Sequence, residues 1–238
     1  MIEVKKKLSV SVIIPAHNEE EHIKTVIDAA KKIKEIDEII VVDDGSDDNT
    51  ALVAKKTGVK TVILDKNRGK GGAIRAGLEK AGGDVLIILD ADLTNVTSNK
   101  IRKIINPFRD MCDFVKTKFD RSGGRVTRLT AKPLLGHFFP EIEKRFEQPL
   151  SGQIGIRKDL LEKIPLEEDF GVDIGILIDA VQMGAKTKEV YFGRLAHDER
   201  TLTELDDTAK HVSRVILDRA AKYNRLKEGI EMIQSQTV

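Results

Sequence analysis

Four short apolar runs, the first three followed by helical stretches and the first, second and fourth ending in polar clusters, constrain the fold of this chain more than any other feature. Ile39 to Val42 and Val85 to Leu89 are unbroken in aliphatic residues, while Leu8 to Ile14 is interrupted only by Ser9 and Ser11 and Val59 to Leu64 only by Lys60 and Thr61. A strand that faces water on one side alternates polar with apolar, whereas one that is apolar throughout must be covered on both faces. Helical patterns fall between these runs, over about Glu20 to Ile33, Asp48 to Lys56 and Lys70 to Ala81, the last closed by Gly82-Gly83. Strand and helix alternating at this short range predict an α/β architecture, a mostly parallel sheet with helices on both faces. Ligands in such sheets bind beyond the carboxyl ends of the strands.

Past residue 110 the rhythm loosens. Strands are expected near Asp113 to Phe119, Gln153 to Arg157 and Thr187 to Phe192, with helices from about Val126 and over Val172 to Met183. From Leu202 to about Ile233 the pattern is helical and highly charged, suited either to framing the domain or to a homodimer contact. No internal repeat divides the 238 residues, so one domain is expected across 1–238. The 40 lysines and arginines against 39 acidic residues leave no global basic field to gather nucleic acid. The longest apolar runs fall far short of the roughly 20 residues of a membrane span. The single cysteine, Cys112, cannot form an intramolecular disulfide, and a cytoplasmic location is expected.

The first, second and fourth strands each end in a polar cluster, and a parallel sheet brings those ends to one edge. Pro15-Ala16-His17-Asn18-Glu19 follows the first and Asp43-Asp44-Gly45-Ser46 the second. Asn67-Arg68-Gly69-Lys70-Gly71-Gly72 opens the third helix, and Asp90-Ala91-Asp92 follows the fourth strand. Two carboxylates one residue apart at a strand end suit a hard cation such as Mg²⁺ or Mn²⁺ held against phosphate. Lys70 among glycines at a helix N-terminus suits phosphate oxygens, because glycine lets the backbone approach closely. Each cluster also has an ordinary structural reading. Asn18 with Glu21 makes a capping box, Asp47 or Asp48 caps the second helix, and Asp90 to Asp92 is an acidic turn.

Taken together, in this order and spacing over residues 8 to 92, the four clusters resemble the nucleotide-sugar glycosyltransferases of the family-2 type. The resemblance implies the glycosyltransferase-A fold, a Rossmann-like sheet. It also implies that Pro15, Ala16, His17, Glu19, Asp43 and Asp44 line the nucleoside pocket, and that Gly69 and Lys70 meet the diphosphate. Asp90 and Ala91 would then lie on the ribose side, with Asp92 on a divalent metal. On this view residues 1–110 form the nucleotide-sugar half, 111–200 the acceptor half and 201–238 a C-terminal helical segment.

The second half must choose the acceptor. Ser122-Gly123-Gly124-Arg125-Val126-Thr127 combines glycines, an arginine and a hydroxyl at a helix start, which suits an anion; a glycine loop with a routine cap is the plain alternative. This segment, Leu129 to Leu135, Gln148 to Gly152 and Gly171 to Gly175 resemble the glucosyl-3-phosphoglycerate synthases, with the mannosyl enzymes related. The resemblance implies retaining transfer of glucose from UDP-glucose to the 2-hydroxyl of 3-phosphoglycerate. Gly124, Arg125 and Thr127 would hold the acceptor's phosphate, Pro149 to Gly152 with Leu150 would abut the sugar, and His197 would join Asp92 on the metal. Lys70, Asp92 and Asp173 would carry catalysis. This chain has Asp173 where such relatives often carry glutamate, and Asp198-Glu199 where an asparagine often follows the histidine.

Other functions compete. Another donor or acceptor would make a mannosyl-3-phosphoglycerate or glucosylglycerate synthase. An inverting polyprenyl-phosphate sugar transferase would share the first hundred residues but should show a membrane-facing segment. A nucleotidyltransferase should place its glycine-rich loop after the first strand, where Pro15 to Glu19 stands. A catalytically silent sugar-nucleotide-binding module would need a decayed acceptor site. Inversion also needs a general base, for which Glu167-Glu168-Asp169 is the candidate unless that run is a solvated loop.

Overall fold

A computed structural model of the chain describes residues 8–120, 124–194 and 202–235. The first half runs β1 (Val10–Ala16), α1 (Ile23–Lys31), β2 (Glu38–Asp43), α2 (Thr50–Lys56), β3 (Lys60–Ile63), α3 (Gly69–Lys80) and β4 (Val85–Ile88). After α4 (Ser98–Ile105) and a 3₁₀ turn come β5 (Phe114–Phe119), a π-helical turn (Thr127–Ala131), α5 (Lys132–Phe138) and α6 (Pro140–Arg145). The chain continues through β6 (Ile154–Arg157), α7 (Lys158–Leu161), α8 (Val172–Gln182), β7 (Thr187–Gly193), α9 (Leu202–Lys222) and α10 (Leu226–Ser235).

All the strands join one sheet in the order β3-β2-β1-β4-β6-β5-β7. β1, β2, β3 and β4 are mutually parallel, and β5 is parallel to β7. The exception is β6, antiparallel to both neighbours, with Ile154 opposite Ile88 on one side and Lys116 on the other. Because β6 runs backwards, its beginning lies at the edge where β4 and β5 end. The reversal thus delivers residues 150 to 153 to the carboxyl edge.

The double apolar character of β1, β2 and β4 is explained by two cores, one on each face, whereas β3, at the edge of the sheet, is not covered on both faces and leaves Ile63 exposed. Ile13, Ile40, Val42, Leu86 and Ile88 pack with residues of α3, α8 and α9, while Val12, Ile14, Val41, Val85 and Ile87 pack with α1 and α4. Adjacent strand residues feed opposite cores, as the two-residue side-chain period requires. The C-terminal helical segment frames the domain: Val212, Val215, Ile216 and Ala220 of α9 are wholly buried. It is broken between α9 and α10 at Asn224, whose φ is 58°. Among the described residues no helix is long and apolar enough to cross a membrane.

Three details differ from the sequence reading. The capping box of Asn18 and Glu21 does not form: Asn18 sits at φ 56°, and α1 begins later, after His22. The Asn18 side chain instead accepts from Asp47 N at 2.9 Å, tying the loop after β1 to the loop after β2. α4 has no counterpart among the expected helices because its buried face is only Ile101, Ile104 and Ile105, within an otherwise polar stretch.

Candidate active site

The exits of β1 and β2 are in register, Ala16 opposite Asp43, so their polar clusters adjoin. Asp44 N donates to Ala16 O at 2.8 Å, and the His17 ring nitrogen Nδ1 lies 2.9 Å from Asp44 O. Asp43 accepts from the Ser46 hydroxyl, and both aspartates are buried. Asp44 also accepts from Arg68 N at 2.8 Å, which links this corner to the loop that opens α3. Burial raises the Asp44 carboxyl, against the opposing pull of that Arg68 bond. Asp48 does serve the head of α2, accepting from Thr50 N at 2.8 Å, while Thr50 Oγ1 accepts from Glu19 N at 2.7 Å.

The loop before α3 must come close to two backbones. Gly45, at φ 66°, packs so tightly that a Cβ there would lie 2.6 Å from the Lys66 carbonyl carbon. Gly71 N donates to Glu168 O at 2.9 Å, and a Cβ on Gly71 would run into Glu167 O. The two glycines are therefore required by contact with β2's loop and with the segment before α8. That second contact carries Lys70 to its partners.

Lys70 Nζ donates to Asp90 Oδ1 at 2.7 Å and to Asp173 Oδ2 at 2.8 Å. Burial by itself would push the Lys70 ammonium down, but Asp173 and then Asp90 outweigh it and hold the pKa above the ordinary lysine value. The other oxygen of Asp90 accepts from Gln153 Nε2 at 2.5 Å, at the beginning of β6. Gly152, beside it, leaves no room for a side chain, since a Cβ there would meet the Asp90 carboxylate and the Lys70 ammonium. Gln153 is steadied in turn through Thr117, whose hydroxyl donates to Gln153 O at 3.0 Å and bonds the Ser151 hydroxyl. Asp173, in the first turn of α8, is 7 % exposed, and its Oδ1 is buried without a hydrogen-bond partner. A buried carboxylate oxygen left unpaired is a strong acceptor for an incoming hydroxyl.

Lys70, Asp90, Asp173 and Gly152 thus meet at one point, and Ala16, His17, Asp43 and Asp44 adjoin at the neighbouring strand ends. Pro15 and Glu19 flank that second group, half-buried, and Gly69 takes φ 75° at the start of α3. Ala91 is buried and Asp92 half-buried in the turn after β4, and Leu150 is half-buried against the core. Asp92 is a hard oxygen donor on that turn. Mg²⁺ typically uses one or two carboxylates with the substrate's phosphates, so the donor chemistry fits such an ion. Among the described residues no group of three His, Cys, Asp or Glu side chains clusters as a metal cage. His197, with Asp198 and Glu199, lies outside the described residues.

Gly124, Arg125 and Thr127 open the helical segment after β5, where Arg128 N donates to Gly124 O at 3.1 Å. Gly124 and Arg125 are exposed, whereas Thr127 is buried. Ser122 and Gly123 lie outside the described residues. In the Glu167-Glu168-Asp169 run two carboxylates are engaged by α9, while the Glu168 side chain is exposed. Glu167 pairs with Arg219 at 2.8 Å and Asp169 with Arg214 at 2.8 Å, both on α9. Glu168 contributes its main-chain oxygen to Gly71. Two arginines on a charged helix lie far along the sequence from this run, which concealed the pairing.

Two residues of the site escaped the sequence reading. Lys116 of β5 is wholly buried, its Nζ donating to Asp173 O at 3.1 Å, and Gln153 orients Asp90. Strand alternation flags the first, because Lys116 shares a face with buried Phe114.

Comparison with known proteins matches residues 11–161 to glycosyl transferase family 2. A glucosyl-3-phosphoglycerate synthase from Petrotoga mobilis is 32% identical over 255 residues, covering 96% of this chain and 78% of that protein. A crystal structure of glucosyl-3-phosphoglycerate synthase from Mycobacterium tuberculosis with Mn²⁺, uridine-diphosphate-glucose and phosphoglyceric acid superposes with a TM-score of 0.85. It is 33% identical and covers 90% of this chain and 80% of that one. A structure of the same enzyme with Mg²⁺ and uridine diphosphate gives a TM-score of 0.84 at 32% identity, covering 90% of this chain and 80% of that one.

Proposed function

The chain belongs to glycosyl transferase family 2, and from that premise we propose that it transfers glucose from UDP-glucose to the 2-hydroxyl of 3-phosphoglycerate. The observation that carries this reading is the meeting of Lys70, Asp90 and Asp173 at the carboxyl edge of the sheet, closed by Gly152. The nucleoside lies against Pro15, Ala16, His17, Glu19, Asp43 and Asp44, with Asp90 and Ala91 on the ribose side. Residues 1–110 thereby form the donor half, 111–200 the acceptor half, and 201–238 the helical frame. The protein works in the cytoplasm, in keeping with its lone, buried Cys112, and as a homodimer.

Asp92 and His197 hold Mg²⁺ or Mn²⁺, whose positive charge, when bound, stabilises the departing diphosphate. Lys70, with Gly69, turns its ammonium to the same phosphates, where charge grows as the glycosidic bond breaks. Asp173 accepts from a hydroxyl of the sugar or acceptor through its unpaired Oδ1, and Leu150 and Gly152 bound the sugar. Gly124, Arg125 and Thr127 hold the acceptor's phosphate through N–H groups and the guanidinium. The family resemblance implies retention, which same-face attack would give, and the engagement of Glu167 and Asp169 by α9 is in keeping with it. The attacking hydroxyl then gives its proton to a leaving phosphate oxygen.

A substrate panel tests this reading. Purified protein is given UDP-glucose or GDP-mannose, Mg²⁺ or Mn²⁺, and 3-phosphoglycerate, glycerate or a polyprenyl phosphate, with the product read by NMR. The expected product is α-linked glucosyl-3-phosphoglycerate. A β linkage overturns retention, preference for GDP-mannose or glycerate overturns the substrate assignment, and nucleotide binding without turnover on any acceptor makes the chain a silent binding module.

A further inference from the structure

A lysine with no exposed surface is uncommon, and Lys116 is 0% exposed directly beneath the site. Its Nζ donates to the main-chain oxygen of Asp173, in the first turn of α8, at 3.1 Å. The charged groups that face it come from four elements: Asp173 on α8, Lys70 on α3, Asp90 after β4 and Glu189 on β7. Burial lowers its pKa to about 8, with Lys70 adding to the fall and Asp173 and Asp90 opposing it. A neutral donor such as glutamine would tie β5 to a carbonyl equally well. Burying an ammonium for that purpose alone is unfavourable, so the charge itself needs a role.

The role follows from what Lys70 must do. As the structure stands, one ammonium serves two carboxylates, Asp90 and Asp173. When a diphosphate arrives, Lys70 is drawn towards it, and both carboxylates lose part of their counter-charge while still shielded from water. We propose that Lys116 is a positioning residue for the transfer: it fixes the first turn of α8 so that Asp173 faces the donor, and its charge remains behind to neutralise Asp90 and Asp173 once Lys70 engages the phosphates. The proposal rests on the donor-site reading above. It explains why β5 carries a lysine at a position whose strand neighbour on the same face, Phe114, is wholly apolar and buried.

The test compares the wild type with Lys116→Met, Asp173→Asn and the double variant. UDP-glucose affinity is measured by calorimetry with Mn²⁺ and no acceptor, and kcat and KM are then measured with acceptor. Methionine keeps the stem and removes the charge. Because the folded lysine holds its proton less tightly than the unfolded one, the charged group weakens folding near neutral pH. Lys116→Met should therefore melt no lower than the wild type. It should lose about tenfold in donor affinity and a further factor in kcat, and that loss should largely vanish in the Asp173→Asn background.

Donor affinity within about twofold of wild type, or an equal loss in both backgrounds, overturns the proposal. Should Lys116→Met fail to fold, the wild type decides. Lys70 stays charged at alkaline pH, so affinity should fall as pH rises through about 8, and a flat profile overturns the role. A wild-type chain that binds no UDP-glucose removes the donor reading and this proposal together, whereas binding that is indifferent to Lys116→Met removes the proposal alone.

Discussion

The proposed nucleotide edge and the proposed acceptor side of the same sheet are built by opposite means. At the nucleotide edge each functional cluster lies just past the strand that delivers it, and Ala16 and Asp43 stand side by side because β1 and β2 leave the sheet in register. On the acceptor side the functional residues enter rather than leave. Leu150 to Gln153 precede the reversed strand β6, and Asp173 opens α8, yet Asp173 meets Lys70 across 103 sequence positions. A parallel sheet sorts strand exits automatically, whereas a reversed strand and a helix start must be brought in by packing. The first region should therefore lose chemistry without losing fold, and the second should lose geometry in graded steps.

The sharpest break falls at the nucleotide edge. Asp92 is half-buried between Ala91 and Leu93 of the second core but adds no apolar side chain to it, so Asp92→Ala should shift the melting temperature by no more than a few degrees. Metal-dependent turnover should drop by about a thousandfold or more. Steady-state assays with and without a chelator check this, and residual activity that still rises with Mn²⁺ would remove Asp92 from the metal. Lys70→Met comes next, with kcat lower by about 10²–10³, the usual loss when a charge-stabilising donor is removed. A loss confined to KM would mean that Lys70 binds ground state and transition state alike.

Asp92 and Lys70 are both legible in the amino-acid sequence, and the contrast between the regions says why. The strand runs, their order and the clusters at residues 15–19, 43–46, 67–72 and 90–92 are local features, each set within a few residues by apolar period and turn chemistry. What escaped is long-range. Gln153 is connected to Asp90 only because β6 runs antiparallel, and the Glu167–Arg219 pair spans from the loop before α8 to α9. Asn18 misled because its spacing from Glu21 satisfies a capping rule, while the tertiary tie to Asp47 won. No period in the sequence encodes such ties.

Gly152→Ala probes the reversed strand directly. A methyl group there would press on the Asp90 carboxylate and the Lys70 ammonium, so one or both must move by several tenths of an ångström or more. Misplacement of that order lowers kcat/KM by about ten- to a hundredfold, with the fold intact. Kinetics on UDP-glucose beside thermal melting separates the two effects. Activity near wild type would show that the site tolerates slack at its sugar-facing wall, which would weaken the distinction between the two regions.

Arg125→Ala should have the smallest effect and separates acceptor from donor most cleanly. Arg125 is exposed at the head of its helical segment, where water and salt screen its charge. A single charge-assisted contact to phosphate in that setting is worth about 1–2 kcal/mol, so the acceptor KM should rise by about five- to thirtyfold. The donor KM should not change, because the nucleotide edge shares no residue with it. The penalty should shrink as ionic strength rises, and it should be absent with unphosphorylated glycerate, which offers the guanidinium no phosphate. A matching rise in the donor KM would instead mean that the helical segment after β5 and the Lys70 cluster move as one unit.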